Sequence, residues 1–513
     1  CSVNSAELTE QPIRLARQQL EASFDSDYGG FGAAPKFPHP THIESLLSTW
    51  RATAEAKNPD LHALYMATLS LSRMATGGLY DQLGGGFYRY SVDQRWAIPH
   101  FEKMLYDNAA LLTVYSDGFA ATGESLFGRI VGETADWICR DMQDPSGGYY
   151  ATLDADSEGE EGRFYLWTRD QFDELLTAQE SAVAREHYGL DLDANFEGEA
   201  WHLHAAVPID DLSTATSRTR AQETLDSARD KLLTSRETRV WPGRDEKVLV
   251  SWNGLMIKAM ARAARVLGRN DLAESACRSA DFIHAQLWLD ERLLASFKDQ
   301  RARFPAYLDD YAFLADGLVE LLRYRWRSEY LTFACQLLDV LLARFEDPNG
   351  GFFFTADDHE TLIHRPKPFS DDATPSGNGI AAQVLLQLGH LLGETRYIDA
   401  AERTLRAAWP ALREHPQAHG TLLQALRGFL APPENVVIRG DPDELADWQR
   451  YVSAGYNPGR SSFVIPADAK QLPGLLAERA PQGDGVAYIC QGMKCRAPVS
   501  NLEELAATLR SVA

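Results

Sequence analysis

The sequence is short of lysine, of cysteine and of long apolar runs, and each shortage narrows what the chain can be. Only ten of its 50 basic side chains are lysine. Most of that bias is ordinary codon preference, but Lys36, Lys103, Lys247 and Lys367 all fall in aromatic or Gly/Pro-rich segments. Basic charge as a whole is outweighed, 73 acidic side chains giving a formal net charge of -23. That balance excludes bulk binding to nucleic acid or to an anionic membrane, which needs a basic face, and leaves room for one local basic pocket. Six cysteines in 513 residues do not make a secreted disulfide scaffold, and their sparseness fits a reducing compartment. A cytoplasmic setting is therefore expected. No apolar run approaches the ~18 residues of a membrane span, and no signal peptide is visible. The chain begins at Cys1 rather than Met, which points to a segment upstream more than to a lipoprotein terminus.

What is present is helix. From Pro12 to about Pro432 the dominant pattern is a 3.6-residue apolar period. It predicts helices at 13–24, 42–53, 62–76, 105–120, 127–142, 217–234, 254–266, 272–287, 309–323, 331–344, 379–391 and 397–412. Further candidates lie near 169–176 and 420–430. Between helices a short unit recurs, two glycines followed by an aromatic: Gly29-Gly30-Phe31, Gly85-Gly86-Phe87, Gly147-Gly148-Tyr149 and Gly350-Gly351-Phe352. Glycine supplies the positive φ of a tight turn there. Its repetition implies tandem helical hairpins, which either form an open solenoid or close into a ring of six. Closure is the expectation, because it gathers the aromatic turns around one mouth. After Pro432-Pro433 strands and helices alternate: 436–438, 443–452, 462–465, 486–490 and 502–509. The fold class expected is mainly α, an (α/α)6 barrel or six-hairpin toroid over 1–432 with a small α/β appendage over 433–513.

Chemistry concentrates in a few segments. The densest, 84–108, packs Tyr88, Arg89, Tyr90, Asp93, Trp96, His100, Glu102, Lys103, Tyr106 and Asp107 into a turn and a helix start. Aromatic faces beside charged and hydrogen-bonding groups suit a sugar. His100 follows Pro99 just before the helix, where an imidazole could serve as acid or base. In 147–167 the acidic Asp154, Asp156, Glu158, Glu160 and Glu161 have the composition of a calcium loop but not its order, so no metal is expected. Neither is a cofactor. Trp252 and Asn253, then Asp309, Asp310 and Tyr311, then Arg365, Lys367, Ser376 and Asn378 mark further helix entries. Together with Lys36 these are the expected lining of a cleft. Cys490 and Cys495 lack the spacing of a dithiol oxidoreductase, and a disulfide, a reduced pair and a shared metal site all stay open, with a structural role favoured.

The stretches 29–38, 77–108, 153–167, 245–254, 308–314, 365–378 and 488–499, in this order, resemble the thioredoxin-domain-containing family of spermatogenesis-associated protein 20 and its bacterial relatives. The HFEKMLYDN run at 100–108 is the specific part. The resemblance implies a toroid of the six-hairpin glycosidase type, similar to N-acylglucosamine 2-epimerases, with 103–112 as a cleft-lining helix. Members of that family usually carry an N-terminal thioredoxin-like domain. No such segment stands in this sequence, so the expectation is either a longer protein or a member that has lost the domain.

The expected function is conversion of a small sugar or glycoconjugate. Hydrolysis would pair Asp154 or Asp156 with Asp309 or Asp310, and a gap of about 6.5–9.5 Å between carboxyls would favour inversion. Epimerisation would use His100 as base beside C2, with His364 as the second imidazole. The rival is a non-catalytic carbohydrate-binding or redox-partner module of a thioredoxin-domain protein.

Overall fold

A computed structural model describes residues 7–214, 217–360, 362–441 and 443–510; Cys1 lies outside them. The early helices are α1 (Gln11–Ser23), α2 (Pro40–Thr53), α3 (Leu61–Thr76), α4 (Leu105–Thr122) and α5 (Ser125–Trp137). Then come α6 (Arg169–Leu175), α7 (Ala178–Tyr188), α8 (Arg218–Arg236), α9 (Val250–Leu267) and α10 (Asn270–Leu287). They are followed by α11 (Leu308–Tyr324), α12 (Ser328–Arg344), α13 (Gly377–Leu392), α14 (Thr395–Glu414) and α15 (Gly420–Leu430). The chain ends in α16 (Ala446–Ser453) and α17 (Leu502–Arg510). Local chemistry sets several boundaries. Ser376 caps α13 by accepting the Gly379 N–H, and left-handed Gly123, Gly268 and Gly393 close α4, α9 and α13.

Six helices touch in a closed circuit, α2–α4–α9–α11–α13–α15 and back to α2. Helices α1, α3, α5, α10, α12 and α14 pack against them from outside. The inner helices are apolar on more than one face, as burial on both sides requires; α4 buries Leu105, Leu111, Leu112, Val114 and Tyr115 together.

The count of twelve anticipated helices matches this circuit, but one member differs. Helix α8, the expected 217–234 helix, packs with α6 and α7 around a separate core of Trp167, Phe172, Val183 and Leu232. Its place in the circuit is taken by α15. The polar sequence of α8 offers only a narrow apolar stripe, enough for a satellite cluster and too little for an inner wall.

The glycine–glycine–aromatic unit is one repeated joint. The backbone N–H groups of Asp25, Asp81, Asp144 and Asp347 donate to the carbonyls of Gly30, Gly86, Gly148 and Gly351 at 2.8–3.0 Å. Gly85 and Gly350 have φ of 80° and 95°, and a β-carbon on either would stand 2.5 or 2.3 Å from a carbonyl oxygen of α5 or α14. Only glycine permits both the turn and that approach. Three inner helices then clamp the aromatic residue's backbone. Asn108 accepts from Phe87 N–H and donates to Phe87 O, and Asn253 and Asn378 do the same to Tyr149 and Phe352.

Beyond residue 433 the strands Arg460–Pro466, Glu434–Gly440, Gly485–Gln491 and Lys494–Cys495 form a sheet in that order, the first pair parallel. Side chains alternate between its faces. Val437, Phe463, Ile465, Val486 and Tyr488 join the core of the helical circuit, while Val436, Ile438, Ala487 and Ile489 meet Leu505 and Leu509 of α17 in a second core. Cys490 and Cys495 are joined by a disulfide across neighbouring strands, and Arg479 lies 3.0 Å from the Cys495 sulfur. Cys277 is buried, whereas Cys139 and Cys335 are only partly so. Among the described residues no helix is long and apolar enough to cross a membrane.

Candidate active site at the starts of the inner helices

Neighbouring inner helices meet at their first turns. The ring of Tyr106 on α4 stands edge-on to Trp252 on α9 at 4.8 Å. Asp310 on α11 accepts from the Ser251 N–H of α9 at 2.9 Å and closes a capping box on Tyr307 N–H at 2.8 Å. Gly377, first residue of α13, lies so near α11 that a β-carbon there would stand 2.0 Å from Asp309 Oδ1. Asp371 accepts from the Ser376 and Thr421 N–H groups at 2.9 and 3.0 Å, tying α13 to α15. The helix entries are therefore brought to one end of the circuit.

Two carboxylates there are built differently from the rest. Asp309 is half-buried, its Oδ1 is enclosed without a hydrogen-bond partner, and burial with Asp310 beside it raises its carboxyl to about 7. Asp107, on the first turn of α4, likewise has an enclosed, unpartnered Oδ2, and burial holds its carboxyl well above the usual range despite Arg89. Desolvation penalises the ionised form, and neither group has donors enough to offset it. Burial also takes Asp310 to about 6, but both of its oxygens are engaged by backbone N–H groups, so its work is to fix the start of α11.

Beside Asp107 stand Arg89 and Glu102, and His100 lies against Glu102. The guanidinium of Arg89 meets Glu102 at 3.3 Å and bonds Tyr106. The Nδ1 of His100 lies 2.7 Å from Glu161 and its Nε2 3.7 Å from Glu102. Its ring stacks on Tyr90 at 5.2 Å, and Tyr90 stacks on Phe37 at 4.8 Å. Phe37 is 41% exposed, so this row presents an aromatic ledge to solvent. Phe37 was not singled out from sequence, and Glu161 was read only as one of an acidic run. The cluster of Phe37, His39 and His42 was the available signal, but nothing local to it shows that Phe37 faces residues 90 and 100.

The remaining expected residues lie elsewhere or serve the frame. Asp154 and Asp156 are exposed on a hairpin, and His364 is exposed in a loop. Lys36 is fully buried against Asp25 at 2.7 Å. Lys103 is buried between Asp81 and the Gly85 carbonyl, with burial pulling its ammonium down to about 8, and Arg236 takes both oxygens of the same Asp81. Lys367 makes the matching bonds to Asp347 and Gly350 O. Tyr88 is sealed in an aromatic cluster with Phe101 and Tyr165. Trp96 is buried with its indole N–H on Tyr28 O, and Asp93 folds the loop by accepting from Arg95, Ala97 and Ile98 N–H groups. Tyr311 is buried under the Leu293 N–H, and Arg365 reaches Thr355 O over the Phe353 ring. Asn253 and Asn378 are the buried clamps described above, and Ser376 is a helix cap. Among the described residues no group of three or more His, Cys, Asp or Glu is placed to hold a metal ion.

The fold class these elements define is shared with solved sugar-converting enzymes. The cellobiose 2-epimerase of Spirochaeta thermophila superposes with a TM-score of 0.50 at 14% identity, over 83% of this chain and 98% of that one. A D-mannose isomerase superposes at 0.52 with 10% identity, over 84% and 99%. At these identities the likeness shows a shared fold and no more. No protein-family model matches the chain. By sequence it is 31% identical to spermatogenesis-associated protein 20 of Rattus norvegicus over 536 aligned positions, 95% of this chain and 67% of that protein. The chain belongs to the spermatogenesis-associated protein 20 family.

Proposed function

We propose that the closed circuit is a six-hairpin toroid spanning 1–432, with 433–513 as its appendage, and that its helix-start mouth is the active site of a carbohydrate-converting enzyme. The observation that carries this reading is the pair Asp107 and Asp309. Each has one enclosed carboxylate oxygen without a partner, on the first turns of inner helices separated only by α9. A neutral carboxylic acid and a carboxylate near its midpoint at pH 7 are what acid–base chemistry on a sugar requires. Asp107, held protonated, donates to a departing oxygen, and Asp309 accepts a proton from water or substrate. Trp252, Tyr106 and the Phe37–Tyr90–His100 row supply stacking faces, and Arg89 a hydroxyl donor. In this arrangement Asp107 replaces Asp154 and Asp156 as the partner of Asp309, because burial distinguishes it from those exposed groups.

Epimerisation is the second reading, favoured by the imidazole of His100 held between Glu161 and Glu102. Proton NMR in heavy water with a panel of mono- and oligosaccharides decides between them, with Asp309→Asn and His100→Ala run alongside. New anomeric signals lost in Asp309→Asn mean hydrolysis. Deuterium at C2, lost in His100→Ala, means epimerisation. Binding without turnover across the panel, unaffected by either variant, overturns the enzyme reading in favour of a carbohydrate-binding or redox-partner module.

A further inference from the structure

A cavity of about 660 Å³ lies at the other end of the circuit from Asp107 and Asp309. All six inner helices contribute to its wall from beyond their first turns, and the chain 452–461 completes it. Among the described residues none of Arg89, Tyr106, Asp107, Trp252 and Asp309 lines it. The chain 452–461 is fastened in place. The Tyr456 hydroxyl meets Ser48 at 3.2 Å, Tyr456 O accepts from Arg51 Nε at 3.1 Å, and Arg460 O accepts from Arg323 at 3.0 Å. Its volume falls in the range of pockets for small organic molecules.

The wall carries seven cations and seven carboxylates, so its formal charges balance and selectivity rests on which of them lack a partner. Lys258, Arg262, Arg265, Arg323 and Arg427 face four carboxylates, Glu44, Asp117, Asp316 and Glu320. Four of the cations are already paired. Lys258 holds Asp316 at 2.8 Å, Arg262 bridges Asp117 and Glu320, and Arg265 and Arg323 converge on the same Glu320 at 3.1 Å. Arg427 has no carboxylate within ion-pair distance among the described residues; it donates to the Thr49 hydroxyl at 2.6 Å and feels the Glu10 carboxylate of the same wall at longer range. One turn before it on α15, the Nε2 of Gln424 is enclosed without a partner. On the neighbouring α2, Glu44 has no ion pair among the described residues, and burial raises its carboxyl towards the neutral form. A guanidinium and an amide that want an acceptor, beside a carboxyl that can take or give a hydrogen bond, select an anion that also carries hydroxyls.

We propose that this cavity is a second binding site, distinct from the helix-start mouth, for a sugar-sized organic anion whose carboxylate or phosphate is held by Arg427 and Gln424 while Glu44 engages a hydroxyl. The chain from 433 onward is then part of the site, since residues 452–461 complete its wall.

Isothermal titration of the full chain with gluconate, glucose 6-phosphate and glucose tests it. One or both anions bind saturably at one per chain, at least tenfold more tightly than glucose. Arg427→Gln weakens that binding at least tenfold, and Gln424→Ala, which keeps the guanidinium and tests the same clamp should Arg427→Gln misfold, weakens it severalfold. Gluconate alone assigns the clamp to carboxylates, glucose 6-phosphate alone to phosphates. Absence of binding by both anions, equal binding of glucose, or full affinity in both α15 variants overturns the proposal. So does anion binding that is lost in Asp309→Asn and kept in Arg427→Gln, since the ligand then sits at the mouth; turnover lost in Asp309→Asn with anion binding intact separates the two sites.

Discussion

A carboxyl raised to about 7 has consequences for stability that can be read independently of any substrate. Asp309 binds its proton more tightly in the folded chain than the ~3.9 of an unfolded aspartate allows. The folded state therefore holds the proton between about pH 4 and 7 while the unfolded chain has released it. Stability from this group is greatest below about pH 4, declines as the pH rises towards 7, and stays low above that. The full shift corresponds to about 4 kcal/mol, an upper figure because the group is only partly enclosed. Asp309→Asn removes the charge and keeps the shape. Scanning calorimetry is expected to show a raised Tm for the variant at pH 8, a much smaller difference at pH 4.5, and, if the mouth is catalytic, a fall in turnover of about 10²–10⁴-fold. An unchanged Tm at pH 8 would mean that the carboxylate is solvated. In the wild type the rising limb of the rate profile is expected near pH 7, where Asp309 becomes the base.

At the scale of the element, the sequence and the structure part company in an instructive way. The long helices were legible to within a turn or so at each end, because inner and outer helices both carry wide apolar faces; α7, short and polar, was not marked. The glycine–glycine–aromatic turns were legible as turns. What could not be read was their partner, since Asn253 is 104 residues from Tyr149 and Asn378 is 26 from Phe352. Buried Asn and Lys at helix entries look like binding residues in sequence and act as clamps in space, which is why Lys103, Lys367, Asn253 and Asn378 stood among the expected ligand contacts. Their roles separate by experiment. Asn253→Ala leaves Tyr149 N–H, Tyr149 O and Leu249 O without their partner. At about 1–3 kcal/mol for each buried group stranded, the loss is expected to be about 3–5 kcal/mol in urea unfolding, with KM unchanged in whatever protein remains folded. A raised KM at full stability would return Asn253 to the ligand. Gly377→Ala tests the neighbouring joint. Its β-carbon would meet Asp309 Oδ1, and a helix position accepts alanine, so turnover is expected to fall by about tenfold or more with little loss of Tm, a split that separates placement of the carboxylate from folding.

For the whole molecule the boundary near residue 432 marks a change of pattern rather than a seam. The sheet of the last 80 or so residues has two apolar faces, and only one of them has a core of its own. The other lies on the helical circuit, where Phe463, Ile465, Val437 and Tyr488 pack and where Gln449 donates to Tyr324 O at the end of α11. Strands alternating with helices marked an α/β unit in the sequence, but not that one face of its sheet was a floor for the ring. Cutting after residue 432 would expose that face's seat on the helices and open the charged wall around Glu320 to water. Burial of a handful of Val, Ile, Phe and Tyr side chains is worth roughly 1.5–3 kcal/mol each, comparable in sum to the whole stability of a domain. The truncated chain is expected to lose its cooperative thermal transition or to run as aggregates in size-exclusion chromatography. A 1–432 chain that stayed monomeric, with a Tm within a few degrees of the full chain, would show that the circuit is closed by its own helices alone. In that case the floor residues 452–461 would be dispensable to the fold and kept for the cavity they complete.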